Sequence, residues 1–142
     1  MAKIEIIHGD IITRELWLSD CGHTWEIKGN HIEWDIRNPK SSNVASIERI
    51  LVTSGAENFE ELPARVGPNG NKWMAKLAKK APDDAECKYS IFWIPKGATQ
   101  ALEHDPKISV LPSYNKLLLP IIAIAGACIL YWLPKISNIR RK

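Results

Sequence analysis

Three side chains near the start of the chain belong to the types that bind transition metals. Cys21 and His23 lie two residues apart, so on an extended strand their side chains would point to the same face of a sheet. A hairpin turn at Gly29-Asn30 would then bring His31 towards them. Thiolate and imidazole are ligands that zinc and copper accept, so a metal-binding or redox protein that uses these three residues, or Cys87, is the alternative functional hypothesis. The competing interpretation, which we favour, is that Cys21 is a small buried residue and both histidines are solvated.

Other reactive residue types occur without the spacing that catalysis or ion binding requires. His104 and Asp105 are adjacent, and neighbouring side chains on an extended chain point apart. The acidic run 83–86 lacks the alternating ligands and the glycine of a calcium loop. The loop 67–71 lacks the Lys-Ser/Thr pair of a phosphate-binding loop. We therefore predict no catalytic site, no bound cofactor and no enzymatic activity.

The charge distribution argues against a nucleic-acid partner. The net charge of +3 hides a split, because residues 1–112 hold 14 Lys/Arg and 16 Asp/Glu, a net of −2. The basic excess lies beyond them, at Lys116 and in the tail 135–142. A nucleic-acid interface needs clustered positive charge along a groove or a helix, and the predicted domain does not supply it.

Alternation of apolar and polar residues dominates the first 112 residues and predicts strands. It is clearest in His31–Arg37, where Ile32, Trp34 and Ile36 share one face. Together with Cys21–Lys28 this segment predicts a hairpin closed at Gly29-Asn30. The other predicted strands are Lys3–His8, Ile47–Thr53, Lys72–Leu77, Lys88–Ile94 and Lys107–Leu111.

About seven strands in a domain of this length indicate an all-β, cupredoxin/Ig-like β-sandwich. Two stretches leave alternatives open. Residues 72–80 have the composition of a helix as well as strand alternation, and Glu57–Leu62 is compatible with one helical turn. Pairing of Cys21 with Cys87 also stays open, because it depends on the fold and on an oxidising compartment.

The order of these features resembles a bacterial cupredoxin-like domain over residues 1–112. The strand His31–Arg37 leads to an Asn38-Pro39 turn, the strand Cys87–Trp93 occupies the place of a Tyr-x-Tyr/Phe strand, and Asp105–Val110 is similar to the closing Asp-Pro-x-Ile-x-Val strand. A blue-copper site takes two His, one Cys and a weak axial Met. No His follows Cys87 before His104, and Met74 precedes the Cys. The resemblance therefore implies the scaffold without copper.

An uncharged apolar stretch, 117–134, follows the domain after a linker at 113–116. Its 18 residues would span about 27 Å as a helix, close to the hydrocarbon thickness of a bilayer. We predict a single transmembrane helix here, followed by a basic tail at 135–142. The residues predicted at the membrane interface are Tyr114, Lys116, Tyr131, Trp132, Lys135, Arg140, Arg141 and Lys142.

Two rules that predict the orientation of this span disagree. The positive-inside rule places the basic tail in the cytoplasm and the domain outside. The chain shows no export signal at its start, however. A protein whose one apolar segment is its last is inserted after synthesis, as tail-anchored proteins are, and we expect the domain on the cytoplasmic face.

The expected function is that of a membrane-anchored, non-catalytic β-sandwich. It would act through contacts with an unknown protein partner, as an accessory subunit of a membrane-associated complex. The lipid bilayer is its second expected partner, through residues 117–134. The spacing of Ala123 and Ala127 would also allow homo-oligomers by close helix packing.

Overall fold

Residues 1–69 and 71–112 are described by a computed structural model, and they form ten strands and one short 3-10 turn. In chain order the strands are β1 (Ala2–Gly9), β2 (Leu16–Leu18), β3 (His23–Ile27), β4 (His31–Ile36), β5 (Val44–Ser54), β6 (Phe59–Arg65), β7 (Lys72–Leu77), β8 (Glu86–Pro95), β9 (Leu102–His104) and β10 (Lys107–Leu111). The 3-10 turn, Ala56–Asn58, separates β5 from β6. The described part of the chain is all-β, as the alternation predicts.

The strands form two mixed five-stranded sheets. Sheet A has the order β2-β1-β4-β7-β6, and sheet B has the order β3-β10-β8-β5 with β9 also paired to β8. Each sheet holds one parallel pair, β1 with β4 and β3 with β10. Within sheet B, β10 lies opposite residues 86–88 and β9 lies opposite residues 91–93 of the same long strand β8. Strand β9 therefore extends the line of β10 along β8.

A single apolar core lies between the two sheets. Its largest fully buried side chains are Trp34 from sheet A and Trp93 and Tyr89 from sheet B. Trp93 alternates with the more exposed Phe92 and Ile94, as the period of two requires, whereas Ser90 beside Tyr89 is also buried. Replacing one of these aromatic side chains by Ala would cost about 3–5 kcal/mol of stability. The two sheets pack against each other through this core, so the domain is a β-sandwich.

The predicted hairpin between Cys21–Lys28 and His31–Arg37 is wrong. Strand β3 pairs with β10 in sheet B, whereas β4 pairs with β1 and β7 in sheet A. The turn between them crosses from one sheet to the other: Lys28 N–H bonds to Leu111 O and Gly29 N–H bonds to Leu77 O. Gly29 has φ 85 and a Cβ there would lie 3.0 Å from the Lys79 side chain. Gly29-Asn30 therefore forms the crossover between the two sheets. The positive φ of Gly29 is of the kind that hairpin turns also require.

The remaining strand predictions are confirmed in position, and the strand number is corrected upwards. Residues 72–77 are strand β7, so alternation prevails over helical composition at this segment. The turn expected at Glu57–Leu62 is confined to Ala56–Asn58, because strand β6 begins at Phe59. Seven expected strands become ten because β2, β6 and β9 are added.

The linker, the predicted transmembrane helix and the tail, 113–142, lie outside the described residues. Within residues 1–69 and 71–112, no helix is long and apolar enough to cross a membrane.

Candidate functional site

The three candidate metal ligands are not brought together. His23 lies in sheet B, where its Nε2 is 2.7 Å from Ser109 Oγ and its ring stacks on Trp25. His31 lies in sheet A, opposite Lys76. Cys21 is in a turn with φ 57, followed by Gly22 with φ 85, so the strand alternation expected to align it with His23 does not hold. The described residues contain no group of three His, Cys, Asp or Glu that could hold a metal ion.

Cys87 carries a free, buried thiol, so the Cys21–Cys87 disulfide that the sequence left open is not formed. Asn58 Nδ2 donates to its sulfur over 3.7 Å, and the thiol faces Gly55 O at 3.6 Å. Burial raises the pKa of this thiol. A buried thiol with a raised pKa is a poor nucleophile and a poor redox centre.

The end of the sandwich where β1 and β8 terminate is closed by Trp93. A Cβ on Gly9 would lie 2.4 Å from two ring carbons of Trp93, so the indole rests directly on the Gly9 backbone. Its Nε1 donates to Arg14 O over 3.1 Å. Asn43 adds a reciprocal pair, accepting from Gly9 N–H at 2.9 Å and donating to Gly9 O at 2.6 Å. The indole therefore occupies the space at this end of the core.

A cleft of about 1040 Å³ lies at the side of the sandwich among the described residues. We call it the edge cleft. Sheet A and its adjoining turns contribute Thr13, Glu15–Leu18, Cys21 and Gly22. Sheet B contributes Thr53, Lys88–Ser90 and Glu103–Lys107. This volume lies at the upper end of the range of small-molecule pockets, about 300–1,000 Å³, so the edge cleft is large enough for a stretch of polypeptide.

The edge cleft lies between two strand edges that no other described strand covers. Strand β2 is the outermost strand of sheet A, and β9 pairs with β8 alone. Tyr89 N–H donates to Pro106 O over 3.2 Å. Bonded and non-bonded pairs alternate in an antiparallel ladder, so Glu103, which lies opposite Phe92, directs its backbone N–H and C=O away from β8. An edge of this kind is a template for pairing with a further strand.

Tyr89 and Gly22, which line the edge cleft, make hydrogen bonds with buried polar groups behind it. Trp34 Nε1 donates to Tyr89 Oη over 3.1 Å across the core. Burial raises the pKa of Tyr89 well above its usual value, with a further contribution from the negative charge of Asp20. Asp20 accepts hydrogen bonds from the Thr24 hydroxyl and the Gly22 N–H, and burial raises its pKa as well. This network holds the turn between β2 and β3 against sheet B.

Two carboxylates of the edge cleft converge on one hydroxyl group. Ser90 Oγ is 2.7 Å from Glu103 Oε1 and 2.7 Å from Asp105 Oδ1. A hydroxyl carries one proton and can donate to only one of them at a time. None of the ion pairs among the described residues involves Glu103 or Asp105. This corner of the cleft is therefore acidic and favours a cationic group.

The absence of a catalytic pair at His104-Asp105 stays a prediction. His104 lies opposite Ile91 and shares its face of sheet B, whereas Glu103 lies opposite Phe92 on the other face. Ser90 is only 2% exposed and donates to carboxylates. In the acidic run 83–86, Asp83 is ion-paired with Lys28 at 2.5 Å.

Two exposed apolar side chains lie in the loop between β1 and β2, just before Thr13, which lines the edge cleft. Ile12 is 93% exposed and Ile11 is 60% exposed, in the loop that leads to Thr13 and β2. Asp10 Oδ1 accepts from the N–H groups of Ile12 and Thr13 at 2.9 and 3.2 Å, and the bond from Thr13 lowers the pKa of Asp10. The loop is thus fixed in a turn that presents both isoleucines to solvent.

Sequence reasoning missed both edge strands that line the cleft. Leu16–Leu18 and Leu102–His104 each contain only three residues, too few for alternation to stand out. Two signals were nevertheless present: Leu16 and Leu18 flank Trp17, and Asp105-Pro106 marks the break between β9 and β10. Comparison with models of known protein families finds no match, and comparison with curated proteins finds no significant relative. The candidate site is therefore argued from its geometry alone.

Proposed function

We propose that this chain is a membrane-anchored, non-catalytic β-sandwich that binds an extended segment of a partner protein in the edge cleft. One observation carries the proposal: a strand edge from each of the two sheets, which no other strand in the described part of the chain covers, lines the same cleft. Strand addition to a free edge supplies affinity through backbone hydrogen bonds, and side-chain pockets along it supply specificity.

The chemistry of the cleft sets the kind of segment that it would accept. Leu16 and Leu18 contribute apolar surface from β2, and Pro106 contributes it from the opposite side. Glu103 and Asp105 add the acidic corner. The partner segment is expected to be extended, with apolar side chains on one face and a Lys or Arg near the acidic corner.

A non-catalytic role is supported by the environment of the reactive groups. The Ser90 hydroxyl is almost fully buried and its proton is directed to carboxylates, away from an imidazole. The Cys87 thiol is buried with a raised pKa. Neither group combines the exposure and the adjacent base that an activated nucleophile requires.

Membrane attachment, the cytoplasmic position of the domain and the resemblance to cupredoxin-like domains belong to the same proposal. The uncharged stretch 117–134, bracketed by Lys116 and Lys135, supports the anchor. The two packed sheets support a cupredoxin-like scaffold in its general architecture. An accessory subunit of a membrane-associated complex would use the anchor for location and the edge cleft for contact.

The test uses a photoreactive amino acid in place of Thr13, which lines the cleft, in the full chain expressed in cells. Illumination of isolated membranes is expected to give one adduct of defined mass. The variant Glu103→Pro removes the outward N–H of β9, and Glu103→Ala keeps this N–H while removing the same carboxylate. We expect Glu103→Pro to lower the adduct yield about tenfold relative to Glu103→Ala, as loss of backbone pairing implies.

A second probe position controls for non-specific contact. Glu48 is exposed on β5, the opposite edge of sheet B, and the same photoreactive residue there is expected to give no such adduct. Equal yields from Glu103→Pro and Glu103→Ala would contradict strand addition at β9. Absence of any adduct at Thr13 in membranes would contradict the binding function itself.

A further inference from the structure

We propose that the loop between β1 and β2 is a docking site for an anionic lipid surface, into which Ile11 and Ile12 insert. We call this loop, residues 10–15, the isoleucine tip. The proposal goes beyond partner binding, because it requires neither the edge cleft nor any residue outside 1–69 and 71–112. The lipid surface is one with negatively charged headgroups, such as those of phosphatidylserine.

The isoleucine tip is held in one conformation by its own hydrogen bonds. Asp10 N–H donates to Glu15 O over 2.8 Å and closes the loop, while Asp10 Oδ1 accepts from Ile12 N–H at 2.9 Å. Trp93 Nε1 donates to Arg14 O over 3.1 Å, and Arg14 has φ 68, a conformation that residues other than glycine rarely adopt. Because the loop is fixed before binding, insertion would cost little conformational freedom.

Both isoleucines of the tip are in contact with water. Ile12 is 93% exposed, more than any other large apolar side chain among the described residues, and Ile11 is 60% exposed. A side chain with so little of its surface covered can enter a fluid lipid surface, which needs no pocket shaped to receive it. Removal of one such isoleucine from water is expected to strengthen binding at least about tenfold.

Two loops that carry lysines are joined to the isoleucine tip through Asn43. The Asn43 side chain bonds to both backbone groups of Gly9, the residue before the tip. The backbone O of Asn43 accepts from Lys96 N–H over 2.9 Å. Lys96 Nζ in turn donates to Lys40 O over 2.9 Å. Both lysines therefore lie at the same end of the sandwich as the tip.

This end of the sandwich is basic, whereas the rest of the domain is acidic. None of the ion pairs among the described residues involves Arg14, Lys40 or Lys96. Residues 10–15, 37–43 and 96–101 hold four Lys/Arg and two Asp/Glu, a net charge of +2. The remainder of 1–112 holds 10 Lys/Arg and 14 Asp/Glu, a net charge of −4.

Charge complementarity therefore selects the occupant of the isoleucine tip. Binding of an apolar surface element to a membrane is strengthened by basic side chains when the headgroups are anionic. Each basic side chain near such a surface is expected to add about fivefold to the affinity. A protein partner would instead need a preformed pocket for two isoleucines with an acidic border.

The isoleucine tip and the end of the described chain lie at opposite ends of the sandwich. Leu111 O accepts from Lys28 N–H beside the crossover, and Ala2 lies opposite Ile32, just after the crossover. From there the eight residues of β1 extend about 23 Å towards the tip. The lipid surface at the tip is therefore not the one that the proposed anchor would enter. An anchored domain would bridge two lipid surfaces, and this consequence alone rests on the anchor.

The experiment uses the full chain, held in phosphatidylcholine nanodiscs, with an environment-sensitive fluorescent amino acid in place of Ile12. Vesicles of phosphatidylcholine and phosphatidylserine with brominated acyl chains are added. A blue shift and quenching by bromine are expected, because both report entry of the side chain into the lipid. Brominated vesicles of phosphatidylcholine alone are expected to bind at least about tenfold more weakly.

The same fluorescent amino acid in place of Leu62 is the positional control. Leu62 is 55% exposed on β6, away from the tip, and no shift or quenching is expected there.

Substitutions separate the apolar and the basic contributions, with binding measured by vesicle flotation. Ile12→Ser is expected to lower the affinity for the anionic vesicles at least about tenfold, and Leu62→Ser to leave it unchanged. Arg14→Gly suits the positive φ of this position and is expected to lower the affinity about fivefold. Lys80→Gln is the charge control, because Lys80 lies in the turn beside the crossover, and it is expected to have no effect.

Four results would each overturn the proposal. They are equal binding to neutral and anionic vesicles, equal effects of Ile12→Ser and Leu62→Ser, no quenching at position 12, and a blue shift that a vesicle-free cell extract causes but vesicles do not. The last result would assign the tip to a protein partner.

The other proposals fail separately from this one. If the full chain does not remain in the nanodiscs, the anchor is rejected, and the free chain with the fluorescent residue at position 12 is still expected to be quenched by the anionic vesicles. Absence of the adduct at Thr13 would reject partner binding without changing the quenching.

Discussion

At the scale of single residues, two histidines of similar sequence context have different surroundings. His23 is in contact with Ser109 and Trp25 and lies near Lys107. Burial first, and then the positive charge of Lys107, lower the pKa of His23 to about 4, while Glu86 opposes this shift. His31 instead lies on sheet A, opposite Lys76. Sequence could identify both as histidines on strands, but it could not assign them to different sheets.

The lowered pKa of His23 makes the stability of the domain pH-dependent. The unfolded state binds a proton below pH 6.5 and the folded state only near pH 4, so the free energy of unfolding falls as the pH drops through this window. The slope is about 0.5–1 kcal/mol per pH unit for a partly exposed ring. His23→Gln keeps a hydrogen-bonding group towards Ser109 and should lose this slope. Urea unfolding followed at pH 7.5, 6, 5 and 4.5 compares the two proteins, and parallel stability profiles would show that His23 does not control the window.

At the scale of elements, the length of a strand determined whether it could be predicted. Strands β7 and β10 have the predicted bounds, because each shows regular alternation. Strands β2 and β9 have three residues each and were missed. The Gly29-Asn30 turn was recognised, but its function as a crossover depends on which sheet receives β4. That choice is made by contacts with β1, distant in sequence, so local turn chemistry could not reveal it.

The candidate site, like the crossover, could not be predicted from local sequence patterns. The sequence favoured buried or solvated interpretations for Cys21 and the histidines, and it placed no catalytic pair at His104-Asp105. It did not indicate a cleft, because the cleft arises where two short edge strands from different sheets meet. A surface formed by strands that are distant in sequence leaves no pattern in any short stretch of the sequence.

One hydrogen bond links the two sheets through the core and permits a direct test of their coupling. Trp34 on β4 donates to Tyr89 on β8, with ring centroids 5.4 Å apart in an edge arrangement. Tyr89→Phe is expected to cost about 1–3 kcal/mol, because it leaves the indole N–H buried without an acceptor. Combined with Trp34→Phe, the double variant should lose about 1 kcal/mol less than the sum of the single variants.

Trp73→Phe is the matched control for this cycle. Trp73 is also buried in the core, but its Nε1 has no hydrogen-bond partner among the described residues. Its combination with Tyr89→Phe should therefore be additive within about 0.5 kcal/mol. Denaturant unfolding followed by far-ultraviolet circular dichroism measures all five variants. An equal coupling energy in both cycles would show that the Trp34–Tyr89 bond is not the link.

At the scale of the whole molecule, the chain separates its charge and its hydrophobicity. Residues 1–112 carry a net charge of −2 and contain the sandwich, while 113–142 carry only basic charges and the long apolar stretch. This division was visible in the sequence because it requires only composition. The side of the membrane on which the proposed anchor would place the domain is not decided by composition, because the positive-inside rule places the domain outside whereas the expectation for a tail-anchored protein places it in the cytoplasm.

A protease-protection experiment determines on which side of the membrane the domain lies. Met1 is 68% exposed, so an epitope tag fused before it would be accessible to protease on its own side of the membrane. If the domain is cytoplasmic, the tag is protected when protease is added to intact cells and is cut after the membrane is permeabilised with detergent. Resistance of the protein to alkaline extraction, lost when 117–134 is deleted, verifies that the chain is anchored. A tag cut in intact cells would instead place the domain outside and contradict the expected cytoplasmic position.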